Sequence, residues 1–513
     1  LSSKSFLSKH LTTTRAKSLL ASNMTDLLCK TSQTTNDYVT VPTESLPNND
    51  IQPFSTPKQE ASTANEAPKL NLSTSISTPT FKKSPSTPYQ IAKLLVSEGN
   101  IFGVSDNNLY YYDRNFNYYK LLLGETAEIN IRKAIPENLR TDVNTYKIME
   151  IIKCLKSYTG ELSTAIHPNS PSLEGYINFR NGILDLSNKS RLDSHPRFHF
   201  TNYIDCNYPF YEEVQGYTFN RFLFNLSNND SEILHLLQEV LGLMISEIRS
   251  LKKSFFFFGP PHTGKSLLLN VMRKIVGEEF CSNLSIHDLN DRFRLGAIYG
   301  KKLNICAEIS EESLKNLSQI KILTGNDSSV AELKYQNAFS FQNRALLVFA
   351  GNNLPNLKAP DITNAFFDRI IIIPFLNSVP QNQQDYHLET KLLLEKEYIV
   401  EFAVNGLQRL IKNRNALSDC TLSTRLKTLY IKEQNSFHAF IADCCEITPN
   451  SFTMTNEIEC AYINYCQSNR LQSISSQDWH KLLKGHYNLD SQRKRLLDEN
   501  KRGYIGIRIK TPE

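Results

Sequence analysis

The sequence predicts an α/β protein. Its centre is a three-layer α/β/α domain with a mostly parallel sheet, preceded by a small mixed domain and followed by a winged-helix-like domain. Three observations predict this. Phe255 to Phe258 form a strand-length apolar run that leads at once into a glycine-rich loop and then into an apolar-periodic helix over 267–275. Three further apolar runs, 302–308, 345–350 and 370–373, alternate with helical patterns, as in a parallel sheet covered on both faces. The segment 429–513 reads helix, helix, alternating strand.

In chain order, residues 1–88 read as a disordered linker. About a third of them are Ser or Thr, and too few large apolar side chains are present to offset the entropy of ordering. Residues 89–230 read as a mixed domain, with helices near 90–96, 129–135 and 141–159 and a strand over 108–114. Two short strands are expected around the turn dipeptide Asn181–Gly182. Amphipathic spacing predicts helices over 219–226 and 232–248. Residues 231–428 hold the sheet domain. Inside it a helix is expected over 312–323 and a hairpin over 328–341, with its tip near 334–337. Residues 429–513 form the last domain, with helices over 458–466 and 476–484 and a strand over 504–509.

The totals exclude some classes. With 513 residues the chain holds several domains. A net charge of +5 is too small to make the whole surface a polyanion binder, though it permits a local basic groove. The 10 cysteines show no C-x-x-C pair, which argues against zinc or a disulfide framework and for a reducing, cytoplasmic setting. No apolar run reaches membrane-spanning length, so no membrane partner is expected.

The chemistry starts at the loop Gly259, Pro260, Pro261, His262, Thr263, Gly264, Lys265, Ser266, which fits G-x-x-x-x-G-K-[ST] in a strand–loop–helix context. Its glycines let the backbone N–H groups turn toward phosphate oxygens, and the helix N-terminus adds its dipole. Lys265 is expected to reach the β- and γ-phosphates, and the Ser266 hydroxyl to hold Mg²⁺. Glu308, at the carboxyl end of the next strand run, is the expected acid that organises Mg²⁺ and the attacking water; the alternative is a solvated loop carboxylate. Glu311 and Glu312 stand nearby and read rather as helix-start residues. Asn352 ends the following run and is expected to sense the γ-phosphate; otherwise it is a turn residue. Arg369 precedes the last run, and its planar fork suits transition-state charge supplied from a neighbouring subunit; otherwise it is a surface Arg. Lys334 and Tyr335 at the hairpin tip combine a cation with a stacking ring for single-stranded DNA, against an ordinary solvated turn. The basic clusters 493–495 and 501–502 are placed to touch duplex phosphates; the alternative is a solvated face, the common fate of a charge run.

Taken in order, Gly259 to Ser266, Glu308, Asn352 and Arg369 resemble the superfamily 3 AAA+ helicases. The closer resemblance is to the phage and plasmid primase–helicases of the satellite-phage and poxvirus type. The segments 178–186, 323–327 and 367–375 are similar to recurrent segments of that family, and the resemblance spans roughly 90–513. It implies an ATP- and Mg²⁺-dependent replicative DNA helicase of a phage, plasmid or other mobile element. It further implies a homo-hexameric ring moving 3′→5′ on single-stranded or forked DNA. The runner-up is an AAA+ initiator or loader that uses ATP as an assembly switch, and a third class is a DNA-binding scaffold with a decayed ATPase. The usual acid pair is Ala307–Glu308 here, which concentrates the role on Glu308. The family often carries a primase or primase-polymerase upstream. Residues 1–88 are not expected to supply one, so primer synthesis is not predicted for this chain.

Overall fold

The parallel sheet at the centre is built on a strand whose last four residues are all buried phenylalanines. The computed structural model describes residues 87–510 except 169, 310–313, 315, 333–337, 358–363, 435, 486 and 497–498. The segment read as a linker therefore lies outside the described residues, apart from its last two positions. The described residues divide into two compact units, one ending at Gln434 and one beginning after it.

The first unit opens with α1 (Pro88–Ser97). Thr87 caps it in a reciprocal box: the Thr87 hydroxyl accepts from the Gln90 N–H, and the Gln90 amide oxygen accepts from the Thr87 N–H. Strands β1 (Phe102–Ser105), β2 (Asn108–Asp113) and β3 (Tyr118–Leu122) form an antiparallel meander. Helices α2 (Gly124–Ala134) and α3 (Thr145–Ser157) follow, then the short β4 (Thr164–Ala165), parallel to β1. Ile91, Leu95, Leu109, Ile131, Ile148 and Leu155 form their common core.

A second small sheet holds β5 (Tyr176–Phe179), β6 (Gly182–Asp185) and β7 (Arg191–Leu192). Phe179 pairs with Gly182, so the tight turn is Arg180–Asn181, one residue before the expected dipeptide. Asn181 is drawn into the turn because its amide bonds the backbone of Tyr208 in both directions, at 2.8 and 2.9 Å.

Helices α4 (Tyr217–Ser227) and α5 (Ser231–Ile245) lead to the main sheet, with Asp230 capping α5 through the N–H groups of Glu232 and Ile233. The strands are β8 (Ser254–Phe258), β9 (Cys281–Ser282), β10 (Leu303–Cys306), β13 (Leu346–Gly351) and β14 (Ile370–Pro374). They run parallel in the order β14-β8-β13-β10-β9. Between them lie α6 (Lys265–Val276), α7 (Ser318–Gly325) and the hairpin β11 (Ser328–Ala331) and β12 (Phe339–Gln342). Phe255 and Phe257 join the core shared with α5 and α6, while Phe256 meets Phe349 on the opposite face. Helices α8 (Leu388–Leu394) and α9 (Lys396–Lys412) follow. Gly242 and Gly406 let α5 and α9 cross closely: an added Cβ would lie 2.7 Å from the Ala403 oxygen and 2.3 Å from the Gln238 oxygen.

Several expected elements change bounds, and two of these changes bear on the site. The run 302–308 pairs only over Leu303–Cys306, so Glu308 stands two residues past the strand. The helix expected over 312–323 begins at Ser318, because the Leu314 N–H is taken by the Asn356 carbonyl at 2.8 Å in an isolated bridge. The expected boundary at 428/429 falls inside α10 (Thr421–Gln434), which is tied to the sheet body by Ser423 on the Ile372 carbonyl and by Tyr430 on the Pro355 carbonyl. Among the described residues no helix is long and apolar enough to cross a membrane.

The second unit holds α11 (Ser436–Cys444), β15 (Cys445–Met454), α12 (Thr455–Ser468), α13 (Ser476–Gly485), β16 (Ser491–Leu496) and β17 (Glu499–Ile509). Its antiparallel sheet has the order β15-β17-β16. Trp479 is buried at the centre and stacks on Phe437, with ring centroids 5.5 Å apart.

A buried ionic cluster fastens the end of α5 to the amino edge of the main sheet. Glu247 pairs with Lys302 at 2.5 Å and with Arg344 at 3.7 Å. Arg249 donates to the carbonyls of Ile248, Lys302 and Arg344. Burial opposes the charge on Glu247, but Lys302, Arg344 and Arg249 outweigh it and hold the carboxyl down at about 2. Glu247→Gln leaves these cations without their anion and should lower the unfolding free energy by about 3–5 kcal/mol, read from denaturant midpoints. The Glu247 contribution is present above the ordinary carboxylate value of 4.5 and is lost as pH falls toward 2. The wild type should therefore show an acid-side loss of stability that the Gln variant lacks.

Candidate active site

The carboxyl ends of β8, β10 and β13 open into one cavity of about 490 Å³. The loop 261–267 forms one wall, 307–309 a second and 351–353 a third. Such a crevice beyond the strand ends is where ligands bind in open α/β sheets.

The loop's path is fixed by its neighbours. At Gly259 the backbone passes so close to β14 that an added Cβ would lie 1.9 Å from the Phe375 carbonyl oxygen. Phe375 N–H donates to the Phe258 carbonyl at 2.7 Å, continuing the pairing to the loop's first residue. The segment after β14 then clamps the outer side: Ser378 donates to the Pro261 carbonyl at 2.8 Å, and the Val379 N–H to the His262 carbonyl at 2.9 Å. Sequence reasoning missed this clamp, because nothing in 375–379 marks it before the strands are ordered. Gly264 turns the chain into α6 at φ +94, a left-handed conformation suited to glycine. No side chain caps α6, so its first N–H groups and its positive dipole end remain available beside the cavity.

Lys265 is the first residue of α6 and is buried. Its ammonium folds back on its own loop, donating to the carbonyls of Gly259 at 2.8 Å and Pro260 at 2.6 Å, and to the Thr263 hydroxyl at 3.2 Å. Burial lowers it to about 8. Ser266 is exposed on the first turn, and Glu308 and Asn352 are exposed on the two facing walls. The sheet thus brings Lys265, Ser266, Glu308 and Asn352 to one cavity. A hydroxyl and a carboxylate there offer hard oxygen donors of the kind Mg²⁺ takes together with water and phosphate oxygens. Among the described residues no group of three or more His, Cys, Asp or Glu forms a metal-ligand set by itself.

Arg369 is not brought there. It stands immediately before β14, and its carbonyl accepts from the Ser254 N–H at 2.7 Å, at the opposite end of β8 from the loop. Five strand residues separate the two positions, roughly 17 Å at the rise of a parallel strand. Lys334 and Tyr335 lie outside the described residues, as do Glu311 and Glu312. The base of their hairpin is described: Phe339 and Phe341 pack edge-on against Tyr299, at 5.0 and 5.5 Å. The Tyr299 hydroxyl accepts from Asn108 of β2 at 2.7 Å, so the hairpin base rests on the first domain.

A second surface feature went unnoticed in the sequence. Asp291 caps a short turn that presents Phe293, 63% exposed, between Arg292 and Arg294. The Arg292 carbonyl accepts from the Glu332 N–H at 3.1 Å, which places this turn beside the end of β11. An aromatic between two arginines was the available signal.

The close approach at Gly259 sets a stability test. Gly259→Ala should cost about 1–3 kcal/mol or more through overpacking. Gly485→Ala, where nothing lies within 4 Å of an added Cβ, should leave the denaturant midpoint nearly unchanged.

Comparison with known proteins bears on the same segments. A family model described as D5 N terminal like matches residues 117–242, from the start of β3 into α5. A family of unknown function, DUF5906, matches 257–369, a span that includes the loop, Glu308, Asn352 and Arg369. Among solved structures, an A-form apo structure of the NrS-1 C-terminal region aligns at 13% identity and a TM-score of 0.45, covering 82% of this chain and 99% of that one. A second apo structure of that region aligns at 12% identity and a TM-score of 0.45, covering 83% and 100%. Residues 117–242 thus match a D5 N-terminal-like domain, a domain of the phage and plasmid primase–helicase family.

Proposed function

We propose that this chain is an ATP-dependent replicative DNA helicase of a phage, plasmid or other mobile element, working as a homo-oligomeric ring, most simply a hexamer. The sheet domain is read as an AAA+ ATPase domain and the second unit as a winged helix. The observation that carries the reading is the distribution of groups over the sheet. Lys265, Ser266, Glu308 and Asn352 share the cavity at one end, and Arg369 stands at the other, where it suits a neighbour's site.

In this reading the triphosphate enters between the loop and the ends of β10 and β13. Loop N–H groups and the α6 terminus receive its oxygens. Lys265 leaves the carbonyls of Gly259 and Pro260 and turns to the β- and γ-phosphates, trading loop oxygens for charged ones. Ser266 and Glu308 would hold Mg²⁺, which supplies charge neutralisation between the phosphates. Glu308 also orients the attacking water, and Asn352 contacts the γ-phosphate from the third wall. Arg369 of the adjoining subunit meets the charge that develops in transfer. Closed cyclic symmetry repeats this shared site around the ring. The hairpin carrying Lys334 and Tyr335 is the proposed single-strand contact, with Phe293 beside its base as a second stacking surface. A primase or primase-polymerase encoded upstream is the proposed functional partner, and the setting is cytoplasmic.

Two outcomes test the site. Lys265 loses its proton as pH rises through about 8, so nucleotide affinity should fall between about pH 7 and 9 by on the order of tenfold, measured with a fluorescent nucleotide. Lys265→Ala should abolish that dependence along with hydrolysis. The shared site is tested by mixing subunits. Arg369→Ala alone should lose about a thousandfold in hydrolysis. Mixing it with Lys265→Ala protein should restore part of the activity, because some interfaces then combine an intact loop with an intact arginine. Additive, unrestored rates would rule out the site in trans. Failure to separate a forked duplex despite DNA-stimulated hydrolysis would rule out the helicase reading.

A further inference from the structure

The loop residue His262 is held in a conformation that a side chain disfavours. Its φ is +62, in the left-handed region, although it carries a Cβ. The side chain is exposed, so burial of the ring does not enforce this backbone. A sparsely populated conformation persists only where its surroundings over-determine it.

Two hydrogen bonds from one segment do so. Ser378 donates to the Pro261 carbonyl at 2.8 Å, and the Val379 N–H to the His262 carbonyl at 2.9 Å. These carbonyls belong to the two peptide units on either side of the His262 Cα, so its φ and ψ are both fixed from outside the loop. The segment that fixes them is itself anchored. The Phe375 N–H continues the pairing of β14 with β8, and the Asn377 amide donates to the Asn225 carbonyl of α4 at 3.1 Å. Both peptide units are trans, and in a trans unit the N–H points opposite the carbonyl. The two bonds therefore aim the N–H groups of His262 and Thr263 away from 378–379. Pro260 and Pro261 have no N–H, so the donors of the loop's inner turn begin at His262.

With these bonds all four carbonyls from Gly259 to His262 have donors, the first two from Lys265. If Lys265 turns to a phosphate, Gly259 and Pro260 lose theirs, and the bonds from Ser378 and Val379 remain to hold the loop's curvature. We propose that Ser378, together with the Val379 N–H, is a positioning residue for phosphate binding. It keeps His262 left-handed, so that the His262 and Thr263 N–H groups face phosphate oxygens. The inference rests on the nucleoside-triphosphate reading of the cavity and adds to it a dependence on a side chain that touches no phosphate.

The test uses the full chain, a fluorescent ATP analogue with Mg²⁺, and steady-state hydrolysis. Ser378→Ala should weaken nucleotide binding and raise KM by about three- to tenfold, the worth of one hydrogen bond. Its kcat should stay within about twofold, because the N–H groups hold ground state and transition state alike. Ser378 is exposed, so the denaturant midpoint without nucleotide should hardly move. Ser378→Thr keeps the hydroxyl and should bind as the wild type does. In a His262→Gly background the left-handed turn needs no holding, and Ser378→Ala should cost less than about twofold. Wild-type affinity in Ser378→Ala would overturn this inference alone, as would a loss of equal size in both backgrounds or an equal loss in Ser378→Thr. A wild type that binds no nucleotide would overturn the triphosphate reading and this inference with it.

Discussion

The pairing of β8 between β13 and β14 is the constraint on which the cavity at the carboxyl end of the sheet depends. Four phenylalanines can lie side by side only where both faces of a sheet are covered, and this forces β8 to the interior. Once it is flanked on both sides, its carboxyl end is held against Gly351 and Phe375. Gly259 is then the only kind of residue that fits beside the Phe375 carbonyl. The loop's curvature is thus a consequence of strand order before it is a property of the loop.

The two ends of the same sheet handle charge differently. At the amino end Glu247 is enclosed by Lys302, Arg344 and Arg249, a cluster of paired charges that fastens α5 to the strands. At the carboxyl end Lys265 is also buried, yet its partners are loop carbonyls and a hydroxyl, with no carboxylate among them. A cation held by neutral oxygens is the one that gains most from an anionic ligand. One end therefore reads as structural and the other as a site in waiting. The hairpin base adds a mechanical link, since Tyr299 joins it to β2 of the first domain.

The second unit follows the opposite logic. Its core around Trp479 and Phe437 is aromatic packing, and its ribbon sets Arg493 opposite Arg502 and Lys494 opposite Lys501, with Arg502 also donating to the Ser491 hydroxyl.

The sequence alone determined the parts whose signals are local. The Phe255–Phe258 strand, the loop to Ser266 and the α6 helix follow from apolar period and glycine spacing, as do the β11–β12 hairpin and the helix that holds Trp479. It also put Glu308 and Asn352 close to strand ends, although pairing stops at Cys306 and leaves Glu308 in the following loop. Only the tertiary structure decided what depends on strand order. That covers the clamp by Ser378 and Val379 on the loop, the late start of α7 after Leu314 pairs with 356–357, and the run of α10 through the expected boundary. It also decided the placement of Arg369 at the far end of β8 from Lys265. These are contacts between segments distant in the chain, and a local pattern carries no record of which neighbour a backbone carbonyl will meet.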